Sequence, residues 1–184
     1  MGNFSKKDKY QKEESEFEQK LVEVARVTRV MAGGKRMRFR ATLAIGDRKG
    51  RVGVGVAKGA DVTMAIKKAF NQAKKNLVRV PMLDGTVPHE ILSKFKSAQV
   101  LIKPAKKGSG VKAGGAARMI LELAGLEDVT AKILGSNNKI NNVKAVLVAL
   151  EGLKMPKKKE ETAEVKKEVK LKPKKEDNKE TVTS

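Results

Sequence analysis

Between Leu21 and Lys58 three runs rich in apolar residues, the last two strictly alternating, are separated by two sets of turn residues. Leu21 to Met31 is rich in valine and broken by Arg26 and Arg29, so it reads as a strand. Its alternation slips near Ala25–Val27, where a bulge is expected. Gly33-Gly34 supplies the permissive backbone of a turn. Met37, Phe39, Ala41, Leu43 and Ile45 then alternate with Arg38, Arg40, Thr42 and Ala44, which predicts a second strand. After a hairpin loop at Gly46–Gly50, Val52, Val54 and Val56 alternate with Arg51, Gly53, Gly55 and Ala57. Three strands in a meander with one apolar face need a cover. Asp61 to Arg79 offers one: Asp61 is an N-cap, and Val62, Ile66, Ala69, Phe70, Ala73 and Leu77 form a helical stripe. Lys67, Lys68, Lys74 and Lys75 lie off that stripe and read either as a solvated face or as direct RNA contacts. The expected first unit is β-β-β-α over residues 21–80.

Residues 81–88, with Pro81, Gly85 and Pro88, read as a linker. The second unit, 89–153, is expected to run β-β-α-β-α. Its elements are strands at Glu90–Phe95 and Ala98–Lys103, a glycine-rich loop at Pro104–Gly115, and a helix at Ala116–Ala124 stopped by Gly125. A strand at Val129–Leu134, a polar turn at Ser136–Asn142 and a helix at Val143–Leu153 complete it. The class is α+β with two domains. Residues 1–20 balance five bases with five acids and read as a mobile arm, with a short helix near Glu13–Gln19. From Lys154 onward eleven lysines, seven acids and scattered aliphatics cannot bury enough apolar surface to offset their ordering entropy.

Charge changes this picture. The formal net charge is +20, and the tail from Lys154 accounts for only 11 − 7 = +4 of it. The excess belongs to the expected folded part. Val24 to Lys58 alone carries ten bases (Arg26, Arg29, Lys35, Arg36, Arg38, Arg40, Arg48, Lys49, Arg51, Lys58) against Asp47. Like charges this dense weaken a fold unless a polyanion neutralises them, so the strands read as a nucleic-acid surface. Aromatics are only 3% of residues, which leaves little for base stacking and directs binding to phosphates and RNA shape. No apolar run approaches the ~20 residues of a membrane span, and no membrane partner is expected. No leader pattern is seen in the first residues, so a cytoplasmic location is expected.

Three constellations could carry chemistry. The turn Gly33-Gly34-Lys35-Arg36, flanked by Arg26, Arg29, Arg38 and Arg40, could enter an RNA groove. Gly53 and Gly55 imply close approach by another backbone, from protein packing or from RNA. The loop holding Lys106, Lys107, Gly108, Gly110, Lys112, Gly114 and Gly115 runs into a helix N-terminus and so reads as an anion site. It lacks the Gly-Lys-Ser/Thr of a P-loop, and the nearest acids, Glu122, Glu127 and Asp128, fall past the first helical turn. There is no cysteine and one histidine, His89, at the domain junction, where a packing role is expected. Neither a metal site nor any other cofactor or small-molecule substrate is expected.

These residues carry a resemblance. Arg26–Val27, Gly33-Gly34-Lys35-Arg36, Phe39, Gly46-Asp47, Gly50-Arg51-Val52-Gly53 and Lys58 resemble the first half of the fifth protein of the bacterial small ribosomal subunit. Pro81, Pro88-His89, Lys103-Pro104-Ala105, Gly108-Ser109-Gly110, Ala113-Gly114-Gly115, Arg118, Leu121–Gly125 and Leu134–Asn137 resemble its second half. The resemblance covers residues 21–153. It implies a first domain like a double-stranded-RNA-binding module and a second with a left-handed crossover. It also implies a non-enzymatic structural protein that binds 16S ribosomal RNA, supports subunit assembly and lies near the channel where messenger RNA enters. Contacts to the fourth and eighth small-subunit proteins follow from it, as does a role in translational accuracy. The Arg26–Arg36 loop would reach the RNA, and the charge pattern of the strands adds Lys49, Arg51 and Lys58 as further expected contacts. Gly108 to Arg118 would meet the fourth protein. Ala32, Ala57 and Lys106-Lys107 depart from the common pattern. Two other readings stand beside this one: a small-molecule kinase using the glycine-rich loop, and a double-stranded-RNA-binding protein acting off the ribosome.

Overall fold

A computed structural model describes residues 17–155. The expected tail beyond Met155, and the arm up to Glu16 with most of its expected helix, lie outside the described residues. The first sheet has the order β1 (Glu18–Met31), β2 (Gly34–Gly46), β3 (Arg51–Gly59), β4 (Leu77–Arg79), all antiparallel. Helix α1 (Val62–Lys75) precedes β4. The first strand therefore starts at Glu18, inside the expected arm, and a short fourth strand follows the helix where only helix was expected. The bulge lies upstream of its expected place. Leu21 pairs with Leu43 and Glu23 with Thr42, so Val22 is the extra residue and its side chain enters the core. Pairing at Ala25–Val27 is regular; the loose alternation there reflects a stretch with no core beneath it.

Register decides what each side of this sheet meets. Leu43 and Ile45 share a face with Gly53 and Gly55, and this is the face under α1. The helix contacts it through Ala65, Ala69 and Ala73, all fully buried, with Ile66 and Phe70 at the margin. Methyl groups opposite glycines bring helix and strand backbones together. A Cβ on Gly59 would sit 2.6 Å from Ala65 N, one on Gly53 would sit 2.6 Å from Ala73 O, and one on Gly55 would overlap Ala69 O. The close approach expected at Gly53 and Gly55 is thus to the protein's own helix. Ala44, Val52 and Val54 point the other way, into a core shared with the second unit. Both faces are covered, one by α1 and one by the other half of the chain.

The second sheet has the order β5 (Ile91–Phe95), β6 (Ala98–Pro104), β8 (Val129–Gly135), β7 (Val111–Lys112), with β7 parallel to β8. Strand β7 forms within the stretch expected as a loop. Helices α2 (Gly115–Ala124) and α3 (Lys139–Glu151) pack on one side. Helix α3 starts earlier than expected because the Asn138 side chain accepts from Ile140 N at 3.1 Å, turning half of the polar stretch into a first turn. The segment between the units is pinned. Val80 and Val87 are buried, Leu83 and Thr86 bond each other's backbone across Asp84-Gly85, and Gly85 O accepts from Glu127 N at 2.8 Å.

The two halves meet at the β2–β3 loop. Arg48 N donates to Leu123 O at 3.0 Å, and Gly50 N donates to Ala124 O at 2.9 Å. Gly125, in the left-handed region at φ 88°, donates to Glu122 O, and Leu126 N to Leu121 O. All four terminal carbonyls of α2 are thereby satisfied, two of them from the other sheet. Gly125 has no room for a side chain, since a Cβ would overlap Arg48 O. Gly125→Ala is expected to destabilise the protein by at least ~2 kcal/mol, combining left-handed strain with displacement of the loop. Gly34→Ala, where a Cβ meets nothing within 4 Å, is expected to change stability by less than ~0.5 kcal/mol. Urea unfolding of the two variants checks both.

Candidate nucleic-acid interface

Strand β3 stops pairing at Gly59, opposite Phe39, while β1 and β2 continue. Five further residue pairs, Val27↔Arg38 to Met31↔Gly34, form a two-stranded ribbon, about 17 Å long at ~3.4 Å per residue. Gly33 at φ 82° makes its tip. No acid occurs between Val24 and Gly46. Cross-strand pairing assigns the charges to faces. Arg29, Arg36 and Arg38 share one face, joined at its base by Lys58, the partner of Arg40. Arg26 and Lys35 lie on the other face with Thr28, Val30, Met37 and Phe39. Arg26, Arg29, Lys35, Arg36, Arg38 and Lys58 are all exposed. The tip also exposes apolar side chains, Val30 at 75% and Met37 at 57%.

A shallow depression of about 280 Å³ on the arginine face is lined by Val27, Arg29, Met31, Arg36, Arg38 and Lys58. A second, of about 190 Å³, joins Arg36, Met37, Arg38 and Lys58 to Met64 and Lys68 of α1. Lys68 thus belongs beside the ribbon arginines. The signal in the sequence was the short Ala60-Asp61 connection, which sets the first turn of α1 against the end of β3, and the four-residue spacing of Met64 and Lys68. Arg40 differs from its neighbours: it is half-buried, with Nη2 3.9 Å from Glu23 Oε2.

The remaining cations stand apart from the ribbon. Lys49 and Arg51 occupy the opposite end of the sheet, about 27 Å along β2 from Arg38 at ~3.4 Å per residue. Arg51 is bound to Asp47 at 2.6 Å and lies 5.4 Å from the Phe17 ring centroid. Burial pushes the Asp47 carboxyl up, but the Arg51 guanidinium and the N–H groups of Lys49 and Arg51 outweigh it and hold it below its ordinary value. Next to this loop Lys20 Nζ ties the two halves through Glu122 at 2.6 Å; Arg118 Nε also reaches Glu122, at 2.8 Å within α2, and Arg48 Nε reaches Glu18, at 2.6 Å within the first half. The hydrogen bonds from Lys20 and Arg118 lower the Glu122 carboxyl, and that from Arg48 lowers Glu18. Arg118 and Gly115 border an open hollow with Lys20, Leu21 and Met119.

The glycine-rich loop is occupied by the protein itself. Asp128 folds back under it and accepts from Gly110 N at 2.8 Å and Gly108 N at 3.1 Å. Gly108 and Gly110 take positive φ, 80° and 70°, which turns their N–H groups inward. The Gly108 and Gly110 amides of the expected anion site are therefore taken by a side chain twenty and eighteen residues away. Lys106, Lys107 and Lys112 remain exposed around it, and Gly114 caps α2 without a side-chain bond.

Two family models match the chain: residues 17–81 match "Ribosomal protein S5, N-terminal domain", and residues 93–166 match "Ribosomal protein S5, C-terminal domain".

The bond from Gly110, with Gly108, Ser109 and Lys107 assisting against partial burial, lowers the Asp128 carboxyl below its ordinary value of 3.8. A lowered folded value means that its contribution to stability is complete above pH 3.8 and is lost as pH falls through the folded value. Amide chemical shifts of Gly108 and Gly110 are expected to stay constant from about pH 8 to 5 and to move together below the ordinary carboxylate range. Asp128→Ala is expected to speed hydrogen exchange of both amides by at least about tenfold at neutral pH. NMR spectroscopy measures both.

Proposed function

The chain belongs to the ribosomal protein S5 family, and from that premise we propose that the β1–β2 ribbon is its main contact with 16S ribosomal RNA. The family is one of structural, RNA-binding proteins of the small ribosomal subunit and is not an enzyme family. One observation carries the assignment to the ribbon. A two-stranded ribbon is marginally stable alone, yet this one projects past β3 with its arginines exposed and no acid to neutralise them. RNA phosphates supply that neutralisation, and arginine forks fit them in pairs. The deep, narrow major groove of A-form RNA excludes side chains, so the ribbon lies along phosphates and the shallow minor groove or at a junction.

The finer assignments rest on the same placement. Lys58 and Lys68 extend the contact at the ribbon base, and Lys106, Lys107 and Lys112 make a second, smaller one. Gly108 to Arg118 faces the fourth small-subunit protein, with the eighth docking elsewhere on the second domain. A stiff link between these contacts supports subunit assembly, the channel where messenger RNA enters and decoding accuracy, in a cytoplasmic ribosome.

Sedimentation of a cell lysate on a sucrose gradient tests the assembled site. The chain is expected to stay stoichiometric with small subunits through a high-salt wash; recovery at the top of the gradient would overturn the reading. The double variant Arg36→Ala/Arg38→Ala is expected to wash off at lower salt, with the log–log salt slope for binding 16S RNA reduced by about 2. Lys49→Ala, at the far end of the sheet, is expected to leave release unchanged. Lys35→Ala is expected to alter misreading in a reporter assay, and unchanged error frequencies would count against the accuracy role.

A further inference from the structure

Four aspartates lie among the described residues, and three of them are held. Asp47 accepts from Lys49 N and Arg51 N, Asp61 caps α1 through Thr63 N, and Asp128 accepts from Gly108 N and Gly110 N. Asp84 is exposed, and its carboxylate meets no hydrogen-bond or ion-pair partner among the described residues. Gly85 follows it. This is the one Asp-Gly pair in the chain, and Asn-Gly does not occur.

The turn around this pair leaves both reacting groups free. Leu83 to Thr86 is closed by Thr86 N to Leu83 O at 2.9 Å and Leu83 N to Thr86 O at 3.0 Å. Asp84 at φ 49° and Gly85 at φ 78° both lie in the left-handed region, as in a type I′ turn. Such a turn gives the N–H between its central residues no internal partner, and Gly85 N donates to no group among the described residues. Glycine has no side chain to shield that nitrogen. An unpaired carboxyl and an unshielded amide nitrogen thus stand on adjacent residues, and these are the two groups that close to a succinimide. The five-membered ring holds its peptide as a type II′ turn does, with positive φ at the first central residue, one peptide flip from the observed turn. The backbone angle that aspartate adopts least readily is already in place.

The same turn is fastened beneath the glycine-rich loop. Gly85 O accepts from Glu127 N at 2.8 Å and Asp128 N at 3.3 Å, and Thr86 Oγ1 donates to Asp128 O. The Asp128 side chain in turn holds the Gly108 and Gly110 amides.

The geometry points to Asp84 as a site of spontaneous isoaspartate formation, whose product slackens Asp128 and the glycine-rich loop that it holds. Gly85 N attacks Asp84 Cγ, and a carboxyl oxygen leaves as water with the amide proton and one proton from solvent. Water then opens the succinimide at the former backbone carbonyl, breaking its bond to Gly85 N and returning a proton. The chain now runs through Cβ and Cγ, one carbon longer, and the former backbone carbonyl is a free carboxylate. Composition and charge are unchanged. A two-residue turn closed by a pair of cross-bonds cannot take up the added carbon without moving Gly85 O and Thr86. The site goes beyond the RNA contact proposed for the ribbon and uses none of its residues.

The test ages the full chain for weeks at neutral pH and physiological temperature, with unaged chain as the baseline. Both are cut with trypsin, and the peptides are labelled with protein-L-isoaspartate O-methyltransferase and methyl-labelled S-adenosylmethionine. The peptide Val80–Lys94 holds no other Asp or Asn, so its label reads position 84. It is expected to gain label at least about fivefold faster than the peptides carrying Asp47, Asp61 and Asp128, because glycine leaves its nitrogen unshielded. Asp84→Glu keeps the carboxylate but requires a slower six-membered closure, and is expected to abolish that label. NMR spectra of the aged intact chain are expected to show a second set of Gly108 and Gly110 amides, exchanging at least about tenfold faster than the first. Label spread evenly over the four aspartates, or absent from Val80–Lys94, overturns the site. Label at position 84 with unaltered exchange at Gly108 and Gly110 overturns its hold on the loop.

Discussion

A helix that ends inside a protein must find partners for its last four carbonyls, and in this chain the end of α2 finds half of its partners on the other sheet. Leu121 and Glu122 are served by the helix's own left-handed cap, Leu123 and Ala124 by the backbone of Arg48 and Gly50. Leaving those two carbonyls buried without a partner would cost about 1–3 kcal/mol each, so any change that withdraws the Arg48–Gly50 loop while the joint stays closed is penalised. The close fit also explains Gly46, where a Cβ would meet the Leu123 carbonyl. The ion pairs Lys20–Glu122 and Arg48–Glu18 surround this joint. They are partly exposed, so they orient the loop more than they hold it.

A second constraint follows from the first. With one side of the first sheet committed to the shared core, α1 has only the glycine side left. There it lies so close that methyl groups fill the contact. A helix seated on glycine has little freedom to rock, and β2 between these two covers is held throughout its length from Ala41 to Gly46. The free ribbon grows from that clamped base, which keeps an unsupported pair of strands in a defined direction.

Much of this was legible in the chain. Strict alternation marked β2 and β3, turn chemistry marked both hairpins, and Gly125 was visible as the stop of α2. What could not be read was parity. Val52 and Leu43 look equally inward in sequence, yet the pairing of Ala44 with Val54 sets the valines on the side opposite Leu43. The contact of α1 was hidden for a related reason: Ile66 and Phe70 are its largest apolar residues, but against glycine the small ones sit deepest. The charged ribbon was visible as a run of cations, whereas Lys68 was one of four helix lysines open to two readings, and folding set it beside the ribbon. Asp128 lay beyond any local rule, because its partners are eighteen and twenty residues away. The resemblance of residues 21–153 to one family identified what periodicity alone had left open.

Strand β2 runs from the ribbon tip at Gly34 to the joint at Gly46, roughly 40 Å of continuous, paired backbone at ~3.4 Å per residue. It is built like a lever with its fulcrum between α1 and the shared core. Torque applied to the tip by a polyanion arrives, twelve residues later, at the loop that grips the end of α2, and the other end of α2 carries the glycine-rich loop and Arg118. The two outer surfaces of the molecule are mechanically in series, so stiffness lost anywhere along that line is felt at both ends.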